Sequence, residues 1–178
     1  MRQAEMRARR FERVVVLAFI ALLGTAVGAF AQSTGADDKQ SDGRFTGIAF
    51  ITDDPRWYEL LRRPELPKFE LKDSFGPGES GAVAIMFSNA EPRQGQARIE
   101  CDVTAFDPTG SSLVVDSGVC YEGPYHGDNI LHAALLDLQF EMGPDEPSGR
   151  SGFEITLRDA HAGRSVKLNI AFTQGSGE

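Results

Sequence analysis

Residues 97–105 alternate without a break: Ala97, Ile99, Cys101, Val103 and Ala105 are apolar, and Arg98, Glu100, Asp102 and Thr104 between them are polar. A helix turns about 100° per residue and would scatter that pattern around its circumference, so only an extended strand can bury one set and leave the other in water. The same period returns in Leu136, Leu138, Phe140 and Met142 against Asp137, Gln139 and Glu141, and again in Val166, Leu168, Ile170 and Phe172. On this pattern residues 45–52, 68–72, 82–87, 97–106, 112–121, 135–142, 153–158 and 166–172 read as strands. Between them stand Gly76-Pro77-Gly78, Glu91-Pro92-Arg93, Asp107-Pro108-Thr109-Gly110, Gly143-Pro144-Asp145 and Ala162-Gly163-Arg164, whose Pro and Gly residues suit turns. Strands with one apolar face, joined by short turns, pair antiparallel and stack those faces on a shared core. Ile85, Phe87, Ile99, Val103, Leu138, Phe140, Ile155, Leu157, Leu168 and Ile170 are expected in it. One short helix is expected over 54–62, with Asp54 as cap, Pro55 in the first position and Trp57, Leu60 and Leu61 on one side, plugging an open end of the sandwich.

The N-terminus has a different character. Arg2, Arg7, Arg9, Arg10 and Arg13 precede an uncharged stretch, 14–31, that closes on Ala29-Phe30-Ala31. A basic head, an apolar middle and small residues before a cut site are the plan of a signal peptide. Residues 1–31 are therefore expected to be removed, leaving a periplasmic or secreted chain that begins at Gln32. The alternative is retention of 14–31 as a membrane anchor, since eighteen residues lie near the lower limit of about 17 for a spanning helix. Residues 32–43 have no large apolar side chain and are expected to be a flexible leader; 44–173 would form one domain and 174–178 a disordered tail. Loss of the signal segment takes five bases and two acids from the chain's 18 Lys+Arg and 26 Asp+Glu, leaving a net charge of about −11. Such a surface repels phosphate backbones and anionic lipid, so neither nucleic acid nor a membrane surface is expected as a partner.

Cys101 and Cys120 are the chain's two cysteines. In an oxidising compartment such a pair is expected to be bridged, and the turn at 107–110 would place the two on neighbouring strands of one hairpin. A redox or metal-binding pair would call for the C-x-x-C spacing that is missing here.

The acidic, proline-containing stretch 140–149, the strand 152–159 that opens on Gly152-Phe153, the turn from Asp159 to Gly163 and the final strand 163–168 with Phe172 resemble the closing strands of immunoglobulin-like modules in exported bacterial proteins. Asp107-Pro108-Thr109-Gly110 is similar to hairpins of the same class and of macroglobulin-type modules. The resemblance covers about half of the chain beyond the signal segment. It implies an immunoglobulin-like antiparallel β-sandwich of seven to nine strands and assigns no catalytic residue. The chain departs from antibody domains in that its cysteines flank a hairpin and no Trp lies between them.

Candidate sites fall in two places. The loop 121–129 carries Tyr121, Tyr125, His126 and Asp128, with His132 just beyond; aromatic, Gly and Asn residues of this kind suit recognition loops, which equally need turn formers and rest their tyrosines on a core rim. Trp57 and Tyr58 sit beside Arg56, Arg62 and Arg63, a composition found at binding hot spots and also in plain edge packing. Metal binding by His126, Asp128 and His132 lacks a recurrent ligand spacing, and the acids Asp53, Asp54, Asp145 and Glu146 lack the EF-hand pattern. There is no G-x-S-x-G, H-E-x-x-H, P-loop or G-x-G-x-x-G. The expectation is thus a non-catalytic exported interaction module without a cofactor, binding a protein or carbohydrate through its loops. The alternative is a small exported metal-binding protein or enzyme centred on His126 to His132.

Overall fold

Most of the alternating runs fold as strands, and a computed structural model, which describes residues 35–62 and 68–175, gives their pairing. Ten strands are formed among the described residues: β1 (Asp37–Asp42), β2 (Phe45–Thr52), β3 (Ser74–Phe75), β4 (Ser80–Ser88), β5 (Gln96–Phe106), β6 (Ser112–Pro124), β7 (His132–Ala133), β8 (Gln139–Glu141), β9 (Gly149–Asp159) and β10 (Arg164–Gln174). The first sheet runs β1-β2-β4, with β7 and β8 both paired to the far side of β4; the second runs β3-β10-β9-β5-β6. Pairing is antiparallel except between β3 and β10. The two sheets make an all-β sandwich. The expected signal segment and its cleavage point lie outside the described residues.

Eight of the ten expected core residues are buried, from Ile85 on β4 to Ile170 on β10. Each such side chain contributes roughly 1.5–3 kcal/mol by leaving water. Leu138 and Phe140 are corrected to half-buried positions packed against the core edge, because the run that carries them does not stay a strand. Residues 135–142 were expected as one strand. Instead β7 and β8 bracket a stretch held to β4 by Ala134 N–H to Ile85 O at 2.9 Å and Val83 N–H to Leu138 O at 2.8 Å, while the Leu135 N–H turns away to Cys120 O at 2.7 Å.

Three other expectations are corrected. The leader 32–43 includes β1, which pairs with β2 through a turn at Gly43, where φ is +60°. Its residues are almost all exposed, so no apolar pattern marked it; its backbone groups and acids do the binding, Asp42 Oδ2 accepting Ser165 N–H at 3.0 Å and Asp38 Oδ2 accepting Asn169 N–H at 2.9 Å. Residues 68–72 form no strand, because Phe69 packs on the outer face of the first sheet, 4.6 Å from Phe50 ring to ring, and the pairing falls later at β3. Gln174 is no tail residue: it is buried at the end of β10, accepts the Ser151 hydroxyl and donates to Glu146.

The expected helix is a 3-10 helix, Trp57–Arg62. Asp54 caps it as expected, Oδ1 accepting Arg56 N–H at 2.8 Å. It covers a face rather than plugging an end. Trp57 packs edge-on to Phe50 and joins a cluster with Ala82, Ala84 and Met86. This explains why β4 reads as a continuous apolar run: Val83, Ile85 and Phe87 face the main core, and the alternate residues face the cluster under Trp57.

Cys101 and Cys120 are bridged between β5 and β6, with Cα atoms 5.6 Å apart. The register explains how. Ile99 pairs with Tyr121 and Glu100 with Val119, so Cys120 is the extra residue of a bulge that lets it join Tyr121 on the core side. Closing 19 residues of chain in this way restricts the unfolded state by about 3 kcal/mol in the chain-entropy picture.

Candidate binding groove

The two candidate regions, far apart in sequence, meet. β6 delivers Tyr121, the chain after β7 delivers Leu135 and Asp137, and the 3-10 helix delivers Trp57 and Tyr58; with His126 they line an open groove of about 920 Å³. Trp57 is corrected in one respect: only 5% of it is exposed, so its ring is wall, and Tyr58, 43% exposed, supplies the accessible aromatic surface. Leu131 and Leu135 add exposed apolar area beside it.

The 121–129 loop is fastened from within. Tyr121 donates its hydroxyl to Pro124 O at 2.7 Å and sets its ring edge against Phe87. Tyr125 donates to Asp128 Oδ1 at 2.7 Å, and Asp128 is also paired with Arg44 from the start of β2's hairpin. The Asn129 N–H goes to Asn89 Oδ1 at 2.8 Å. Asp128 therefore holds the loop to the fold, and His126 is among its exposed side chains and lines the groove. Arg44 and Asn89 were invisible as partners because the contacts span 84 and 40 residues.

His132 lies beneath this loop, 5% exposed, with Phe87, Tyr125 and His126 stacked near-parallel to it at 5.2, 5.4 and 5.5 Å. Its Nδ1 is 3.4 Å from the Tyr121 hydroxyl, and its Nε2 is buried without a hydrogen-bond partner. Burial holds the imidazole below its ordinary pKa, and the nearby His126 acts in the same direction. Burial likewise raises the phenols of Tyr121 and Tyr125. Because folded His132 binds a proton less readily than the unfolded chain, its contribution to stability is whole above the unfolded value of about 6.5 and is lost as pH falls toward the lowered folded value. His132→Phe, which keeps a stacking ring without a titrating group, is expected to flatten the fall of Tm as pH drops below about 6.5; parallel Tm-against-pH curves for the two proteins would refute this.

Among the described residues no group of three or more His, Cys, Asp or Glu is placed to hold a metal ion. The His126 and His132 rings lie nearly parallel, their planes 5° apart. Among the same residues no helix is long and apolar enough to cross a membrane.

What fold and groove define is an all-β sandwich with a disulfide-linked edge hairpin and an open, aromatic-lined groove. No family model matches the sequence, and no curated protein matches it. Among solved structures, the chain is similar to a family 123 glycoside hydrolase from Clostridium perfringens, at 8% identity and a TM-score of 0.36, covering 74% of this chain and 27% of that one. It is also similar to the soluble domain of PmoD from Methylocystis sp., at 12% identity and a TM-score of 0.31, covering 77% of this chain and 96% of that one. At these scores neither carries an argument about fold or activity.

Proposed function

We propose that the protein is a non-catalytic, exported interaction module of immunoglobulin-like type, which binds a protein or carbohydrate partner through the groove between the 3-10 helix and the 121–129 loop. The observation that carries this reading is the convergence of Tyr58, Tyr121, His126 and Leu135 on one groove whose loop wall is pinned by Asp128. Holding the loop in advance lowers the entropy cost of binding, and Tyr offers a large contact with few torsions. Export is supported by the N-terminal sequence plan and by a disulfide, which persists in oxidising compartments.

The test uses side chains that the groove presents to solvent. Tyr58 and His126 are exposed, so Tyr58→Ala with His126→Ala is expected to leave Tm within about 2 °C of the parent while weakening capture of an envelope protein or glycan about tenfold or more. Retention of full binding by the double variant would remove the groove as the site. Turnover of a captured glycan would replace the module reading with an enzyme.

A further inference from the structure

We propose that the flank between β6 and β8 receives an extended segment of another polypeptide, which adds to β6 as a strand and lays an apolar side-chain set, with one Lys or Arg among it, into the gap between the sheets. This rests on reading the chain as an interaction module but uses a neighbouring cavity, which meets the loop groove at Leu138 and Gln139.

The two flanks of the sandwich are built differently. On one, four outer N–H groups of β10 are taken: Ser165 by Asp42, Asn169 by Asp38, Ala171 by Gly35 O at 3.1 Å and Thr173 by Asp73 O at 2.8 Å. On the other, the edges of the two sheets are joined where Leu135 N–H meets Cys120 O. Beyond that point they part, and a cavity of about 460 Å³ opens between Leu113 and Val115 of β6 and Leu138 and Phe140 opposite, with Phe153 and Phe172 as its floor.

β6 is the outermost strand of its sheet and thirteen residues long, and Leu113 and Val114 are 68% and 64% exposed. Alternate backbone groups of an edge strand point outward and can pair with an added strand. Proteins commonly guard long apolar edges with lysine. Here the guard has the opposite sign. Residues 107–124 and 131–149, the stretches from which the two walls are drawn, hold Asp107, Asp116, Glu122, Asp137, Glu141, Asp145 and Glu146 and no Lys or Arg. Of these, Glu122 is paired with Arg98 at 2.9 Å. Asp116, half-buried as a residue, sits opposite buried Val103 in the ladder, which puts it on the core side of the edge. That is the side toward which every second residue of an added strand points. A second copy of β6 would bring like charges together, whereas a strand with a cation in its inward set would meet Asp116.

The full exported chain can be titrated with the fluorescent peptide Thr-Val-Ser-Val-Thr-Lys-Ser-Val-Thr and with the same peptide carrying Glu for Lys. Saturable one-to-one binding is expected for the lysine peptide, with the glutamate peptide about tenfold weaker. Asp116→Lys should reverse that order, and Leu113→Lys should weaken the lysine peptide about tenfold with Tm unchanged, since Leu113 is largely exposed. Tyr58→Ala with His126→Ala should bind the peptide as the parent does, so loss of peptide binding there would place the peptide in the loop groove and overturn the proposal. Equal binding of the two peptides would also overturn it, as would no saturation at millimolar concentration. So would a parent dimer that Leu113→Lys converts to monomer, since a second copy would then be the occupant. Failure of the peptide experiments with partner capture at the loop groove intact sinks this proposal alone.

Discussion

Asp159→Ala is expected to lower the unfolding free energy by about 3 kcal/mol. Asp159 is fully buried at the end of β9, and its carboxylate is shared among three backbone donors. Oδ2 accepts Glu91 N–H at 2.7 Å; Oδ1 accepts His161 N–H at 3.0 Å and Ala162 N–H at 3.2 Å. One side chain thus holds the β9–β10 turn in shape and ties it to the β4–β5 connection. Hydrogen bonds to a charged group contribute roughly 1.5–3 kcal/mol each, and leaving these partly buried donors unpaired adds a desolvation cost. Asp159→Asn keeps one acceptor and turns an N–H₂ toward one of the donors, so a smaller loss of about 2 kcal/mol is expected. Urea titration with unchanged m-value measures both. An alanine variant within about 0.5 kcal/mol of the parent would show that water satisfies the three donors and that the carboxylate is dispensable.

Asp159 also marks how far the sequence could be read. The turn from Asp159 to Gly163 was legible, because an Asp that bonds to N–H groups just ahead of it is a local device. Its grip on Glu91 was not, since the partner lies 68 residues away and no local pattern encodes it. The same division runs through the fold. Period-two runs gave the strands whose one face is buried, and the Cys101–Cys120 link followed from two cysteines around one turn. The bulge that brings Cys120 inward depends on the register between β5 and β6, which alternation does not specify at a single skipped residue. β1 escaped because its stability comes from backbone pairing and two carboxylates, although Asp42-Gly43 was a hairpin signal in plain sight. For the candidate site, the residue types of the 121–129 loop and the 57–58 pair were visible. Their meeting in one groove was not, because it follows from how the 3-10 helix lies across β4 and how the chain after β7 leaves its strand.

The other large effect is expected at Gly152, where strand β9 passes between β5 and β10. A methyl group there would run into the Ile170 carbonyl oxygen and lie 2.8 Å from Ala171 Cα and 2.7 Å from the end of the Phe106 ring. The first two are backbone of β10, which is fixed by its ladder with β9 along its whole length. Gly152→Ala is therefore expected to cost about 3 kcal/mol, with a fall in Tm of about 10 °C. Gly76→Ala is the control. The added carbon meets only Glu79 Oε2 at 3.8 Å, and the bond from Gly76 N–H to Glu79 at 2.7 Å is kept, so Tm should hardly move. The source of strain at Gly152 can be separated by trimming the one obstacle that is a side chain. Phe106→Leu removes the ring end, and if the backbone of β10 is what resists, the Gly152→Ala, Phe106→Leu double variant should be no more stable than Gly152→Ala alone. Recovery of stability in the double variant would assign the strain to the Phe106 ring and leave β9 and β10 able to accept a side chain between them.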